Sequence, residues 1–263
     1  MNLFIMKYLT TEDNYQSPPL TPTRLARTFP SLVFYFRLAR LIWWSAREAK
    51  KGDLTTEKRV LGSRGILRSL EYVGVNFQIE NLAAFRELKS PCVFVSNHMS
   101  TMETMLFTCI IEPDREITYV IKESLIKYPV FKHIMRSRDP IVVTRENPRE
   151  DFRTVLKAGR ERLSRNISVV VFPQTTRSTI FNPSEFNTIG VKLASHAKAP
   201  VIPVAIRTDA WGNSKRFIKE FGPIDPSKTV RICFGDPIQI QDNGKEEHEQ
   251  IVRFILGKLR KWF

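Results

Sequence analysis

Short apolar runs alternate along this chain with amphipathic stretches, and their periods separate strands from helices. Runs at 93–96, 117–121, 141–144, 167–172, 201–206 and 230–234 are rich in Val and Ile and read as strands, and residues 75–80 alternate like another. Helical spacing recurs over 55–74, 124–135, 149–164, 183–197 and 246–262. This alternation predicts an α/β domain over 75–263, with a mixed, largely parallel sheet flanked by helices.

The first 74 residues follow a different pattern. Residues 1–23 carry Pro18, Pro19 and Pro22 and read as a flexible arm. From Phe29 to Trp44 the chain resembles a membrane span until Arg37 and Arg40 interrupt it. Phe34, Phe36, Trp43 and Trp44 beside those arginines suit a helix lying in a membrane interface. The competing reading packs this helix on the domain itself. With 55–74 it forms a basic, amphipathic helical hairpin, giving an arm at 1–23, a hairpin at 24–74 and the main domain. The last helix, also basic and amphipathic, either adds a membrane contact or docks on the sheet.

Candidate chemistry sits where the 93–96 strand gives way to a helix, at Ser96-Asn97-His98 followed by Glu103. Open α/β sheets bind their ligands at such carboxyl ends. Positions five apart on one helix face about 140° apart, so His98 and Glu103 meet only if His98 lies in the non-helical approach and folds back over the first turn. Asn97 and Ser100 are the capping candidates there. A carboxylate on one imidazole nitrogen fixes the tautomer and leaves the other nitrogen to accept a proton. The bland alternative is a solvent-touching His and a Glu that merely complements the helix dipole.

Composition narrows the partners. Lys and Arg number 41 against 27 Asp and Glu, a net charge of +14 that points to an anionic partner. Aromatic strand motifs, zinc spacings and a helix-turn-helix pattern are all missing from the sequence, which argues against nucleic acid. Cys92, Cys109 and Cys233 have no pairing or metal spacing and read as small buried apolar side chains in a reducing compartment. The opening residues show no signal-peptide core, and no apolar run reaches the ~18 residues of a spanning helix.

A second block raises the first above the ordinary. Val169-Val170-Val171-Phe172-Pro173-Gln174-Thr175-Thr176-Arg177-Ser178 is a strand ended by proline, followed by polar groups and a guanidinium fork suited to phosphate or carboxylate. Together the blocks resemble the glycerophosphate and lysophospholipid acyltransferase family, best known from 1-acylglycerol-3-phosphate acyltransferases. Its His-x4-Asp is matched by His98 and Glu103, and its Phe-Pro-Glu-Gly-Thr-Arg-Ser by Phe172, Pro173, Thr176, Arg177 and Ser178. Lys122, Leu125, Pro129 and Arg145 resemble its intermediate block, and Val201-Ile202-Pro203-Val204 its late strand. Phe234-Gly235-Asp236-Pro237-Ile238 is similar to its Gly-x-Pro turn. The departures are Glu103 for Asp, Gln174-Thr175 for Glu-Gly, and Lys132 where Gly is frequent.

The resemblance implies a glycerol-3-phosphate acyltransferase-like fold and transfer of a fatty acyl group to the free hydroxyl of a lysolipid, 1-acylglycerol-3-phosphate first. Acyl-CoA or acyl-carrier protein is the implied donor, with no bound cofactor and no metal. His98 is the implied general base and Glu103 its orienting acid. Asn97, Lys122, Arg145, Gln174, Thr175, Thr176, Arg177 and Ser178 are the implied substrate-binding set. The expected location is peripheral or monotopic, on the cytoplasmic face of an anionic membrane. Another lysophospholipid or a lyso-aminolipid is the alternative acceptor, and a silent lipid-binding scaffold the alternative function.

Overall fold

A computed structural model describes residues 8–127, 132–174, 176–214 and 221–263. The chain begins with β1 (Tyr15–Gln16), α1 (Arg24–Thr28), α2 (Pro30–Lys50) and α3 (Thr56–Tyr72). It continues through β2 (Phe77–Glu80), α4 (Ala83–Arg86), β3 (Val93–Ser96), α5 (Met102–Ile111) and β4 (Ile117–Lys122). Next come α6 (Glu123–Lys127), α7 (Lys132–Arg136), β5 (Ile141–Val143), α8 (Pro148–Ser164) and β6 (Ser168–Val171). A 3-10 turn at Pro183–Glu185 precedes α9 (Ile189–Ala197), β7 (Val201–Arg207), β8 (Val230–Phe234) and α10 (Lys245–Trp262).

The strands form one sheet in the order β1-β2-β8-β7-β3-β6-β4-β5. Of the pairings between these strands, β1–β2 and β7–β8 are antiparallel and the rest parallel. From β7 to β5 the strands run one way, so the carboxyl ends of β7, β3, β6, β4 and β5 share an edge.

Alternation along β3 sorts the two faces. Phe94 faces a core shared with Phe34 and Leu38 of α2, Leu67 and Leu70 of α3, and Leu106 and Phe107 of α5. Val93 and Val95 face the other way, onto Val155 of α8, Val191 of α9 and Ile251 and Ile255 of α10. The sheet is therefore covered on both sides, which is why its central strands read as unbroken apolar runs. All three cysteines are buried free thiols, and burial pushes the Cys92 thiol up to about 11.

Several boundaries differ from the sequence reading. The arm at 1–23 is not uniformly irregular: Tyr15 pairs with Ile79, and its buried hydroxyl donates to Glu71 at 2.5 Å. The hairpin at 24–74 is part of the main core rather than a separate appendage, because α3 is buried against α5. Gly62 and Gly65 admit α2 closely, with Trp44 and Leu41 filling the space where side chains would stand. The single helix expected over 124–135 is two short ones, with Pro129 between them outside the described residues. The helix expected over 183–197 begins only at Ile189, after Asn182 caps the 3-10 turn and Asn187 accepts from the Ile189 N–H at 3.0 Å. The terminal helix docks on the sheet through Ile251, Ile255, Leu259 and Trp262.

Candidate active site

β3 ends at Ser96, and the next side chain continues its ladder. Asn97 accepts from the Ile206 N–H and donates to the Ile206 carbonyl, both at 2.9 Å, so its amide mimics one more rung between β3 and β7. Asn97 is buried by this pairing. That corrects its place in the substrate-binding set: it holds the frame and does not face a ligand.

His98 follows in the non-helical approach to α5, and its ring folds back over the first turn. Nδ1 lies 2.8 Å from Oε1 of Glu103. Glu103 is completely buried, and its carboxylate is surrounded by donors. Oε1 also accepts the N–H groups of Met99 at 2.7 Å and Ser100 at 2.9 Å. Oε2 accepts the hydroxyls of Ser100 at 3.0 Å and Thr208 at 2.7 Å. Burial is the largest influence on this carboxyl and pushes its pKa up. The His98 contact, the Thr208 hydroxyl and the Ser100 N–H together outweigh burial and hold it below the usual range. An ionised carboxylate only accepts, so Nδ1 carries the proton and Nε2 the lone pair.

The block after β6 wraps the same imidazole. Phe172 stacks on the ring with centroids 4.3 Å apart. Buried Gln174 accepts the His98 N–H through Oε1 at 2.7 Å, and the Ser178 N–H donates to the His98 carbonyl at 2.9 Å. Gln174 thus positions the His98 backbone, a role the sequence reading assigned to substrate contact instead. Arg177 donates from Nη1 to the Thr101 hydroxyl at the start of α5, which sets a guanidinium beside the His98–Glu103 pair. The Ser178 hydroxyl closes its own turn on the Ile180 carbonyl at 2.7 Å. Thr176 is exposed, and Thr175 lies outside the described residues.

Lys122 and Arg145 are exposed at the carboxyl ends of β4 and β5, on the edge these strands share with β3 and β6. Arg145 lies just beyond β5, three strands from β3, in a left-handed conformation (φ 63°) whose N–H is held by Asp151 at 2.8 Å.

Thr208 and Asn213 were not foreseen. Thr208 reaches Glu103 from the end of β7, and Asn213 donates to the Met99 carbonyl at 2.8 Å. Neither has a sequence signal, because their relevance arises only when β7 is laid beside β3.

On the membrane-contact set the structure divides. Phe34 is fully buried against Trp211, with ring centroids 4.9 Å apart, which removes it from the surface. Arg37 donates from Nε to Ser69 at 3.1 Å and stacks on Tyr72, so it is turned onto α3 rather than outward with Arg40. Trp44 is half-buried, whereas Phe36 and Trp43 are 67% and 65% exposed and Arg40 is exposed.

Known proteins give the geometry its context. Residues 74–207, about half of the chain, match the family model described as Acyltransferase. A 1-acyl-sn-glycerol-3-phosphate acyltransferase of Pseudomonas aeruginosa is 27% identical over 171 residues, covering 65% of this chain and 62% of that protein. The human 1-acyl-sn-glycerol-3-phosphate acyltransferase beta is 27% identical over 152 residues, covering 57% and 54%. The chain thus spans about half to three fifths of the length of these relatives. In fold it is similar to the crystal structure of the 1-acyl-sn-glycerophosphate acyltransferase of Thermotoga maritima, with TM-score 0.66, 17% identity, and 90% and 96% of the two chains covered. By the match that runs from Gly74, just before β2, to the end of β7, the chain belongs to the acyltransferase family.

Proposed function

We propose that this protein is a membrane-associated O-acyltransferase that moves a fatty acyl group from a thioester to the free hydroxyl of a lysolipid, 1-acylglycerol-3-phosphate first. The observation that carries the reading is His98 Nδ1 clamped to a buried, ionised Glu103, beside Arg177 at the shared carboxyl edge.

Nε2 of His98 takes the proton from the acceptor hydroxyl as its oxygen attacks the thioester carbonyl. The tetrahedral oxyanion collapses, the carbon–sulfur bond breaks, and the leaving thiolate recovers the proton from the imidazolium. Products are the ester and the free thiol. Glu103 keeps the ring in one tautomer and stabilises the imidazolium. Arg177 offers its planar fork to the phosphate of the acceptor. The Met99 and Ser100 N–H groups are committed to Glu103, so other donors face the oxyanion.

Membrane association is supported by an exposed stripe on α2. Leu32, Phe36 and Trp43 recur at near-helical spacing, all at least 65% exposed, with Arg40 and Arg47 among them. This is the composition of an interfacial helix. Among the described residues, no helix is long and apolar enough to cross a membrane.

The test is to incubate purified protein with labelled acyl-CoA or acyl-carrier protein and a panel of lysolipids, and to identify products by mass. The expected result is a diacyl product lost in His98→Ala. Undiminished transfer by that variant, or a wild type inert with every donor and acceptor, would overturn the reading.

A further inference from the structure

The exposed face of α8 carries Arg149, Arg153, Lys157 and Arg160. At 100° per residue these four fall within an arc of about 80°. Glu150 and Glu161 lie beyond one border, and the opposite face, Val155, Gly159 and Leu163, is buried on the domain. Neighbouring cations have partners: Arg162 and Arg165 both bond Asp139, at 2.7 and 3.2 Å. The four stripe cations form no ion pair with any described residue. Four like charges in one arc repel one another, a cost that an anionic partner removes.

Position says what kind of partner. The stripe begins at the N-terminal end of α8, just after β5, and so at the edge where His98 sits. β5 is three strands from β3, about 14 Å at ordinary strand spacing. From there it runs down the helix for about 16 Å, away from the site. Coenzyme A clusters its phosphates on one small head, which a stripe of this length does not match. A lipid surface is disfavoured because α8 packs on the sheet face opposite α2, so docking through Leu32, Phe36 and Trp43 turns α8 toward water. An acidic protein surface, with the acyl chain on a prosthetic arm long enough to cross three strands, fits both the length and the direction.

We propose that the α8 stripe docks an acidic acyl-carrier protein, which presents its thioester at the edge beside β5. The proposal rests on the acyl-transfer reading for what the carrier delivers, but the docking itself is measurable without turnover. The variant is Arg149→Glu, Arg153→Glu, Lys157→Glu and Arg160→Glu combined, with the four Gln substitutions as a milder second form. Binding of purified acyl-carrier protein is measured by titration calorimetry at low and high salt, alongside kcat and KM with acyl-carrier protein and with acyl-CoA, and vesicle co-sedimentation.

The expected result is carrier binding by the wild type that weakens with salt and falls at least tenfold in the Glu variant, less in the Gln form. KM for the carrier donor rises at least tenfold while acyl-CoA kinetics and vesicle binding stay unchanged. A wild type that does not bind the carrier, or variants that bind it undiminished, would overturn the proposal. Equal losses with both donors in a folded variant would also do so, by assigning the stripe to coenzyme phosphates. So would detachment from vesicles with carrier binding intact, by assigning it to lipid. Stripe-dependent carrier binding by a protein that acylates nothing would retain the docking surface and remove the transfer reading alone.

Discussion

At the scale of single residues, the donors that surround Glu103 decide how firmly His98 is held. Thr208 supplies one of the two side-chain hydroxyls on Oε2, at 2.7 Å. A hydrogen bond to a buried charged group is worth about 1.5–3 kcal/mol. Thr208→Val is therefore expected to lower kcat about tenfold with little change in acceptor KM, and to shift the pH profile of kcat/KM, while Thr208→Ser restores both. A KM effect alone would assign Thr208 to substrate contact. Glu103 also links stability to pH. Its carboxyl is held below the unfolded value, so its stabilising contribution is complete above the ordinary glutamate range and is lost as pH falls through the folded value. Glu103→Gln should flatten this acid dependence, read from denaturant midpoints between pH 7 and pH 4. Gln174 gives a third residue-scale test. Its Oε1 is used by the His98 N–H, so Gln174→Glu keeps that acceptor and adds a negative charge beside the imidazole. Such a charge favours imidazolium, so the acidic limb of the rate profile, where His98 must lose its proton to act as base, should move to higher pH with transfer retained.

At the scale of elements, strands were legible and the joints between them were not. β4, β5, β7 and β8 stand within about a residue of where Val and Ile runs place them, because a sheet covered on both faces demands continuous apolar sequence. The fold-back of His98 onto Glu103 was also legible, since helix geometry leaves no other way for residues five apart to meet. Asn97 was misread because a polar residue at a strand end looks solvent-facing until β7 is known to lie alongside. Phe34 and Arg37 were misread for a related reason: periodicity shows that a helix has two faces, but not which partner each face meets. β1 was missed because two residues held by pairing with β2 carry no local pattern. Close packing between elements gives its own test. A Cβ on Gly190 of α9 would stand 2.5 Å from Cγ2 of Val95, directly before the site on β3. Gly190→Ala should cost about 1–3 kcal/mol, seen as a lowered denaturation midpoint, with a fall in kcat as β3 shifts.

For the whole molecule, the two helical layers leave different surfaces to the outside. The layer built on α2, α3 and α5 presents Leu32, Phe36 and Trp43, while its inner face reaches toward the site. Ser31 accepts the Ile224 N–H at 2.9 Å, Tyr35 donates to the Gly222 carbonyl, and Phe34 packs on Trp211. Trp211 in turn donates its N–H to the Thr208 carbonyl at 3.1 Å, and Thr208 holds Glu103. On the proposed reading, the helix that would meet lipid is thus packed against the segment that holds Glu103, which suits an acceptor whose fatty chain stays in the bilayer. Fully burying a large apolar side chain is worth roughly 1.5–3 kcal/mol. Replacing Leu32, Phe36 and Trp43 together with Ser should therefore reduce partition onto anionic vesicles by roughly a hundredfold or more, allowing for incomplete burial in the interface. Because the three side chains are exposed, the denaturation midpoint should stay close to that of the wild type, and turnover on a short-chain, water-soluble acceptor should persist. Loss of folding stability in step with vesicle binding would instead mean that the stripe packs on protein, and α2 would then lose its role at the membrane.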